Sequence, residues 1–241
     1  VAAEEPDTAG IDAERMERVL DAAAELLVRW GYRRVTVEDV ARRAGVGKGT
    51  VYLHVRTKDA LFLTVLLRAQ RRQFADLADR MLAEPQVALP WSMSRLLYQR
   101  LRADEVSRAL YLGDAEVLGR LAHEAAGALG ELAARRNDVV REHFRLLREA
   151  GLIDDAITLD EQLHGWGAVT YGYFFLDGVA AQSPFAPDGP ERAGELIEHA
   201  IHRLLAGPAP QHRAADVVGE VAALYRPLVD HIDAEARRRT R

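Results

Sequence analysis

Between Thr36 and Lys58 the chain reads TVEDVARRAGVGKGTVYLHVRTK, and the order of caps and glycines in this stretch restricts it to two short helices joined by a tight turn. Thr36, followed three residues on by Asp39, forms a capping box in which hydroxyl and carboxylate satisfy backbone N–H groups at the start of a helix. Val37, Val40, Ala41 and Ala44 recur at helical spacing, and Gly45 can adopt the left-handed conformation that ends a helix without steric penalty. Val46 can pin the turn to a core, Gly47 can act as N-cap, and a second helix from Lys48 can bury Val51 and Val55. Lys48, Thr50, Tyr52 and His54 are then left mostly outward. Thr can contact a base edge or a thymine methyl, while Lys, Tyr and His reach phosphate oxygens or bases. Gly49 lets the backbone approach a duplex closely. The stretch predicts a sequence-specific DNA reader.

Upstream, Met16, Val19, Leu20, Ala23, Leu26, Leu27 and Trp30 recur at three- and four-residue steps, which predicts an amphipathic helix terminated by Gly31. Three helices make a helix-turn-helix domain. Periodicity alone leaves open a helical subdomain that touches no nucleic acid, since any small helical domain carries such stripes. Charge favours the reader: residues 29 to 58 hold eight basic side chains against Glu38 and Asp39, a local +6 in a chain of net charge −5, so the remainder carries −11. A basic patch on an acidic body suits a protein that turns one face to DNA and argues against a general polyanion binder.

The order Ala44-Gly45-Val46-Gly47-Lys48-Gly49-Thr50-Val51-Tyr52, followed by Lys58-Asp59-Ala60-Leu61-Phe62, resembles the DNA-binding signature of the tetracycline repressor (TetR) family. The resemblance covers roughly Ile11 to Phe62, including the Gly31-Tyr32 helix ending and the Thr36-Val37 helix start. It implies DNA contacts at Thr36, Lys48, Gly49, Thr50, Tyr52, His54 and Lys58. The chain departs from the family pattern at Gly47, where Ser is frequent, at His54 and Val55, where an aromatic pair is frequent, and at Ala60, where an acid is frequent. Imidazole is shorter than phenol and changes charge near neutral pH, so the contact made at His54 is the one most open to difference.

Length and composition set the frame for the rest. At 241 residues, 49% hydrophobic, the chain is long enough for one large or two modest domains with a buried core. Its cysteine count of zero excludes disulfides, thiolate nucleophiles, thiol redox sensing and cysteine-ligated zinc. No apolar run reaches the roughly 18 to 20 residues of a membrane span, and Val1 to Gly10 is polar and acidic rather than a leader, so a cytoplasmic protein with a flexible first ten residues is expected.

No strand-like alternation of useful length occurs, and the expected fold class is all-α. One long helix is predicted over Lys58 to about Ala83, with Leu63, Leu67, Gln70, Phe74, Leu77 and Met81 on one stripe and Leu61, Phe62, Val65 and Leu66 on another. The loop Glu84 to Pro90, with Pro85 and Pro90, closes it. Further helices are expected over Trp91 to Arg102, Glu105 to Leu112, Asp114 to about Ala126, Leu129 to Ala150, Thr158 to Gln182 and Pro190 to Ala206, separated by Gly151 and Asp154-Asp155 and by Ser183 to Pro190. After Gly207-Pro208-Ala209-Pro210, the stripe Val217, Val218, Val221, Leu224, Tyr225, Leu228 and Ile232, interrupted by Pro227, predicts a docked and kinked C-terminal helix. The expected organisation is thus a DNA-binding domain over residues 11–60, a helical effector-binding and dimerisation domain over 61–207, and an additional helix over 208–241.

The helix from Thr158 carries small residues Gly165, Ala168 and Gly172 on one side, and Trp166, Val169, Thr170 and Tyr173 about a third of a turn away. Glycine inside a helix costs up to about 1 kcal/mol, and close approach of a partner helix is a common compensation. With the family's four-helix dimer contact as a guide, Gly165, Ala168, Gly172 and Phe175, together with Ile197, Ile201 and Leu204 on the next helix, are expected to meet a twofold mate. Intrachain packing of the same stripes is the alternative. A dimer would hold two readers about one DNA turn apart on a palindromic double-stranded operator.

The family layout also implies a cavity among the C-terminal helices. Tyr98, Tyr111, His143, Phe144, Trp166, Thr170 and Tyr173 are the candidates to line it around a largely apolar or aromatic small-molecule effector, with ordinary core packing as the other role for each. Among the eight histidines, His199 and His202 share a helix face but lack a third ligand, so no metal site is expected, while His123, His143 and His164 are open between buried structural groups and pocket groups. No glycine-rich phosphate loop, nucleophile elbow or strand-borne catalytic pattern occurs, and Gly47-Lys48-Gly49-Thr50 lacks P-loop spacing. The expectation is a homodimeric transcriptional regulator, most simply a repressor, with no catalytic residue and no cofactor. A DNA reader controlled by another protein is the alternative, with an all-helical enzyme behind it.

Overall fold

The structure, a computed structural model, describes residues 8–106, 108, 126–179 and 184–239. Local signals shape its first helices. Helix α1 (Thr8–Arg34) buries Met16, Val19, Leu20, Ala23, Leu26 and Leu27, and its backbone breaks at Gly31. The break turns Tyr32 and Val35 into the core and leaves Trp30, which the stripe placed inside, 42% exposed. At Thr36 both arms of the capping box form: the Asp39 N–H donates to Thr36 Oγ1 and the Thr36 N–H to Asp39 Oδ2, each at 3.1 Å. Helix α2 (Val37–Ala44) follows and ends at Gly45, whose φ of 68° would strain any other residue. The Val46 N–H closes the turn onto the Ala41 carbonyl at 3.0 Å. Helix α3 (Lys48–His54) starts from Gly47 without a side-chain cap and is held by the fully buried Val51 and Val55.

Thr57 caps the next helix, α4 (Lys58–Ala83), by accepting the Ala60 N–H at 2.9 Å. From Leu61 to Leu67 α4 is buried on every side, because α1 covers one flank and the C-terminal helix another. A 3₁₀ turn (Pro85–Ala88) leads into α5 (Pro90–Ala103). Then come α6 (Ala126–Glu149), α7 (Leu159–Val179), α8 (Gly189–Leu205) and α9 (Ala214–Arg239). Thr158 and Glu161 repeat the reciprocal cap at the start of α7. Helix α6 is already helical at Ala126, ahead of the Leu129 expected as its start. The helices expected over Glu105 to Leu112 and Asp114 to Ala126 lie almost wholly outside the described residues. Among those residues there is no strand, only an isolated bridge between Ile153 and Ala206, and no helix is long and apolar enough to cross a membrane.

Buried side chains form two clusters. The first joins α1, α2, α3 and the start of α4 with Leu132 of α6 and Leu228 and Ile232 of α9. The second joins Leu77 and Met81 of α4 with α5, α8, Phe144 and Leu147 of α6, and Val218, Val221 and Tyr225 of α9. Phe74 and Val139 touch both. Helix α9 therefore docks along α4 and belongs to both cores. It continues through Pro227, which is exposed together with Ala223. Proline at this position has no N–H to donate to the Ala223 carbonyl.

Candidate nucleic-acid interface and internal cavity

With Val51 and Val55 anchoring α3, Lys48, Gly49 and Tyr52 are exposed and Thr50 and His54 half-buried at its outer side. No side chain or backbone lies within 4 Å of a Cβ built on Gly49, so the helix surface there is open. The Lys48 ammonium pairs with Glu38 of α2 and lies 5.6 Å from the Tyr52 ring centroid. That hydrogen bond holds the Glu38 carboxyl below its usual range and raises Lys48 in turn. A phosphate reaching Lys48 must therefore displace an acid. Lys58 stands over the Tyr32 ring at 4.2 Å, an arrangement that fixes its stem.

Thr36 is exposed at the edge of the reader, and its hydroxyl donates to Asp39 Oδ2 at 2.6 Å and accepts the Asp39 N–H, which fixes the start of α2. Leu53, 76% exposed on α3, was missed by the sequence reading; an apolar side chain at such a position suits a thymine methyl. Its signal was a leucine outside the Val51–Val55 stripe. Of the basic residues around the reader, Arg42 pairs with Asp39 and Arg43 with Glu25, whereas Arg34 and Arg56 have no ion-pair partner among the described residues.

A cavity of about 840 Å³ opens between α4, α5, α6, α7 and α9. Trp166 and Thr170 line it; Tyr98, His143, Phe144 and Tyr173 do not, and Tyr111 and His123 lie outside the described residues. The four displaced residues form the layer behind the wall. Tyr98 stacks on Phe174 at 5.9 Å, and it is Phe174 that faces the cavity. Phe144 meets Trp166 edge to face at 5.4 Å from behind, and Tyr173 packs into the second core.

His143 is fully buried and satisfied at both nitrogens. Nε2 lies 2.7 Å from the Ala88 carbonyl, which can only accept, so Nε2 carries the proton and Nδ1 accepts from the Tyr225 hydroxyl at 2.9 Å. Burial pushes its pKa down to about 4 against the opposing effect of the Ala88 carbonyl, and burial raises the Tyr225 phenol. The neutral histidine is a structural strut between α6, α9 and the 3₁₀ turn.

The expected twofold face divides in two. Ala168 and Phe175 are exposed on α7, with Gly165 and Gly172 half-buried beside them, and Leu204 on α8 is 40% exposed. Ile197 and Ile201 are fully buried in the chain's own second core, because α8 carries two apolar stripes and the one with these isoleucines packs on α5. Leu196 and Ala200 occupy the outer stripe instead. Gly165 meets a neighbour within the chain, since a Cβ there would lie 3.0 Å from Leu204 Cδ2. Phe175 and Leu176, 65% and 55% exposed, complete an apolar surface along α7. His202 packs edge-on against Trp91 and contacts Gln211, and no group of three metal-binding side chains occurs among the described residues.

Residues 19–65 match the family model described as bacterial regulatory proteins, tetR family. The HTH-type transcriptional repressor Rv1474c of Mycobacterium tuberculosis is 28% identical over 203 residues, which cover 79% of this chain and 95% of that protein. Among solved structures, NalD, the secondary repressor of the MexAB-OprM multidrug efflux pump in Pseudomonas aeruginosa, is similar with a TM-score of 0.57 at 20% identity, covering 82% of this chain and 98% of that one. SmeT, the repressor of the Stenotrophomonas maltophilia multidrug efflux pump SmeDEF, gives a TM-score of 0.56 at 18% identity, covering 80% and 91%. These two likenesses concern the fold.

Proposed function

We propose, for a chain that belongs to the TetR family of bacterial regulatory proteins, that it represses transcription as a homodimer on a palindromic operator and is released by a small, largely apolar effector. The observation that carries this reading is the course of α4. Its first turns are core residues of the reader, and its later residues Gln70, Phe74 and Leu77 are a wall of the cavity. A molecule that wedges the cavity walls apart moves a helix the reader cannot move without. Release then requires that the effector favour the arrangement unable to span the operator, since equal affinity for both shifts nothing. In this reading residues 11–60 form the reader, 61–207 the effector and dimerisation unit, and 208–241 an added helix that ties the two together.

The DNA contacts are assigned to Thr36, Lys48, Gly49, Thr50, Tyr52, His54 and Lys58. Lys48→Ala and Lys58→Ala are each expected to weaken binding uniformly across sequences and to lower the salt slope of log K by about 1, whereas Thr50→Ala and Tyr52→Ala shift base preference at single positions by about 1–3 kcal/mol. DNA selected from random sequence, then titrated at several salt concentrations with and without apolar aromatic compounds, tests the whole proposal. Four variants that bind like the parent would remove the assignment of this face, and operator binding indifferent to every compound would remove the effector.

The twofold contact is assigned to the outer surface of α7 and α8 built on Gly165, Ala168, Gly172, Phe175 and Leu204. Sedimentation at micromolar concentration is expected to give a dimer. Phe175→Asp, placing a charge in that surface, should give monomers and lower operator affinity at least about tenfold, because one reader alone lacks the second half-site. A variant that remains dimeric would move the interface elsewhere.

A further inference from the structure

Along two helices the cavity lining passes from polar to apolar in the same direction, and Arg141, His164 and Tyr171 add polar groups on its border. On α4 the lining passes from Gln70 and Gln73, next to the reader core, to Phe74 and Leu77; on α6 it passes from Arg136 and Asn137, one turn beyond the reader-core residue Leu132, to Val140. Away from the reader the buried polar atoms bond to one another, while His164 and Tyr171 are exposed on the border. The Trp166 Nε1–H donates to Ser94 Oγ at 2.8 Å, Ser94 and Thr170 hydroxyls lie 3.4 Å apart, and the Tyr225 hydroxyl serves His143. A ligand group needing hydrogen bonds there would be buried without partners, at a cost.

The reader end holds a cation that is left over. Arg136 is half-buried and has neither an ion pair nor a hydrogen bond among the described residues, whereas Arg141, also on the rim, pairs with Asp160 at 2.5 Å. Asp138 borders the cavity too, but it is exposed and stands two residues along α6, a spacing at which side chains do not face each other. Gln73, half-buried and likewise without a partner among the described residues, adds an amide donor to the same lining. A guanidinium with a free planar fork in a partly desolvated site selects a carboxylate.

We infer that the effector is an amphipathic carboxylic acid, its apolar body between Leu77, Met93, Trp166 and Phe174 and its carboxylate on Arg136 and Gln73. This deepens the proposal of an effector cavity and rests on it. The acid group then sits against α4 where that helix leaves the reader core, so the charged end of the ligand is the end nearest the moving part.

The test uses the full chain, dodecanoate and 1-dodecanol as a matched acid and alcohol below their micellar concentrations, and calorimetric titration with operator release followed in parallel. The parent protein is expected to bind the acid about ten- to a hundredfold more tightly than the alcohol. Arg136→Met should erase that preference while leaving affinity for the alcohol unchanged, which also shows that the cavity is intact; Arg136→Lys should restore part of it. Equal affinity of the parent for acid and alcohol, or a preference that survives Arg136→Met, overturns the inference. If the alcohol releases the operator as well as the acid does, the effector cavity stands and only its acid selectivity falls. Binding of neither ligand overturns the acid assignment, and the cavity reading falls with it only if apolar aromatic compounds also fail to release the operator.

Discussion

Phe62→Ala is expected to lower the stability of the protein by about 3–5 kcal/mol, the range for removing a buried aromatic ring, and to weaken operator binding beyond what the lost folded fraction explains. Phe62 is fully buried in the second turn of α4, and its ring meets Tyr32 edge to face at 5.1 Å. Tyr32 in turn carries Lys58 above its ring. The one side chain thus anchors α4 in the reader core, fixes the residue after the Gly31 break and positions a cation assigned to the DNA. Truncation leaves a void between α1 and α4 that backbone relaxation fills only in part. Urea unfolding gives the stability change, and operator titration of the folded fraction gives the second effect. Leu82→Ala, on the same helix but 49% exposed, serves as the comparison and should cost less than about 1 kcal/mol. A Phe62→Ala loss no larger than that of Leu82→Ala would mean that α4 does not enter the reader core as placed.

What could be read from the sequence is what depends on near neighbours. The Thr36–Asp39 box, the left-handed Gly45 and the buried pair Val51 and Val55 are set by residues at most four apart, and each forms as its spacing predicts. The all-α architecture follows from the same local rule. The cavity lining was not readable in this way, because which aromatic stands in front is decided between distant segments. Trp166 faces the cavity and Phe144 backs it, although their spacing within apolar stripes is equivalent. His143 is a strut because Ala88 and Tyr225, 55 and 82 residues away, meet it on both sides. Ile197 and Ile201 show the same limit: periodicity finds both stripes of α8 but cannot tell which one its own chain covers. Gln70 and Gln73 carried a usable signal, since amides beside an apolar stripe need a reason to be there.

Acidification should destabilise the protein through His143 by about 3 kcal/mol in total between pH 7 and pH 4, the work of moving an imidazole pKa from 6.5 to about 4. The sign follows from proton uptake. Below pH 6.5 the unfolded chain protonates its histidine while the folded chain, held neutral by burial, does not, so the unfolded state binds more protons and gains stability as pH falls. The loss begins near 6.5, grows until about 4 and is constant below, where both states carry the charge. Hydrogen bonding does not relieve it. Protonated His143 keeps its Nε2–H on the Ala88 carbonyl, and the Tyr225 hydroxyl can turn its proton toward Met93 Sδ, 3.7 Å away, to accept from Nδ1. The penalty is therefore desolvation of a charge among α6, α9 and the 3₁₀ turn, with Tyr225 the titratable partner recorded at the ring and its phenol protonated throughout. Carboxylates held below their usual range, such as Asp39 and Glu161, also lose stabilisation in acid, so the measurement must be a difference. His143→Gln replaces the ring with a group that does not titrate, at a fixed cost of about 1–3 kcal/mol for the hydrogen bonds it cannot reproduce. Urea unfolding of both proteins from pH 7.5 to 4 should show the stability difference shifting toward the variant by about 3 kcal/mol as pH falls, so that the two curves meet or cross. A gap that stays constant over that range would place His143 in contact with water, and the strut between cavity wall and C-terminal helix would be lost with it.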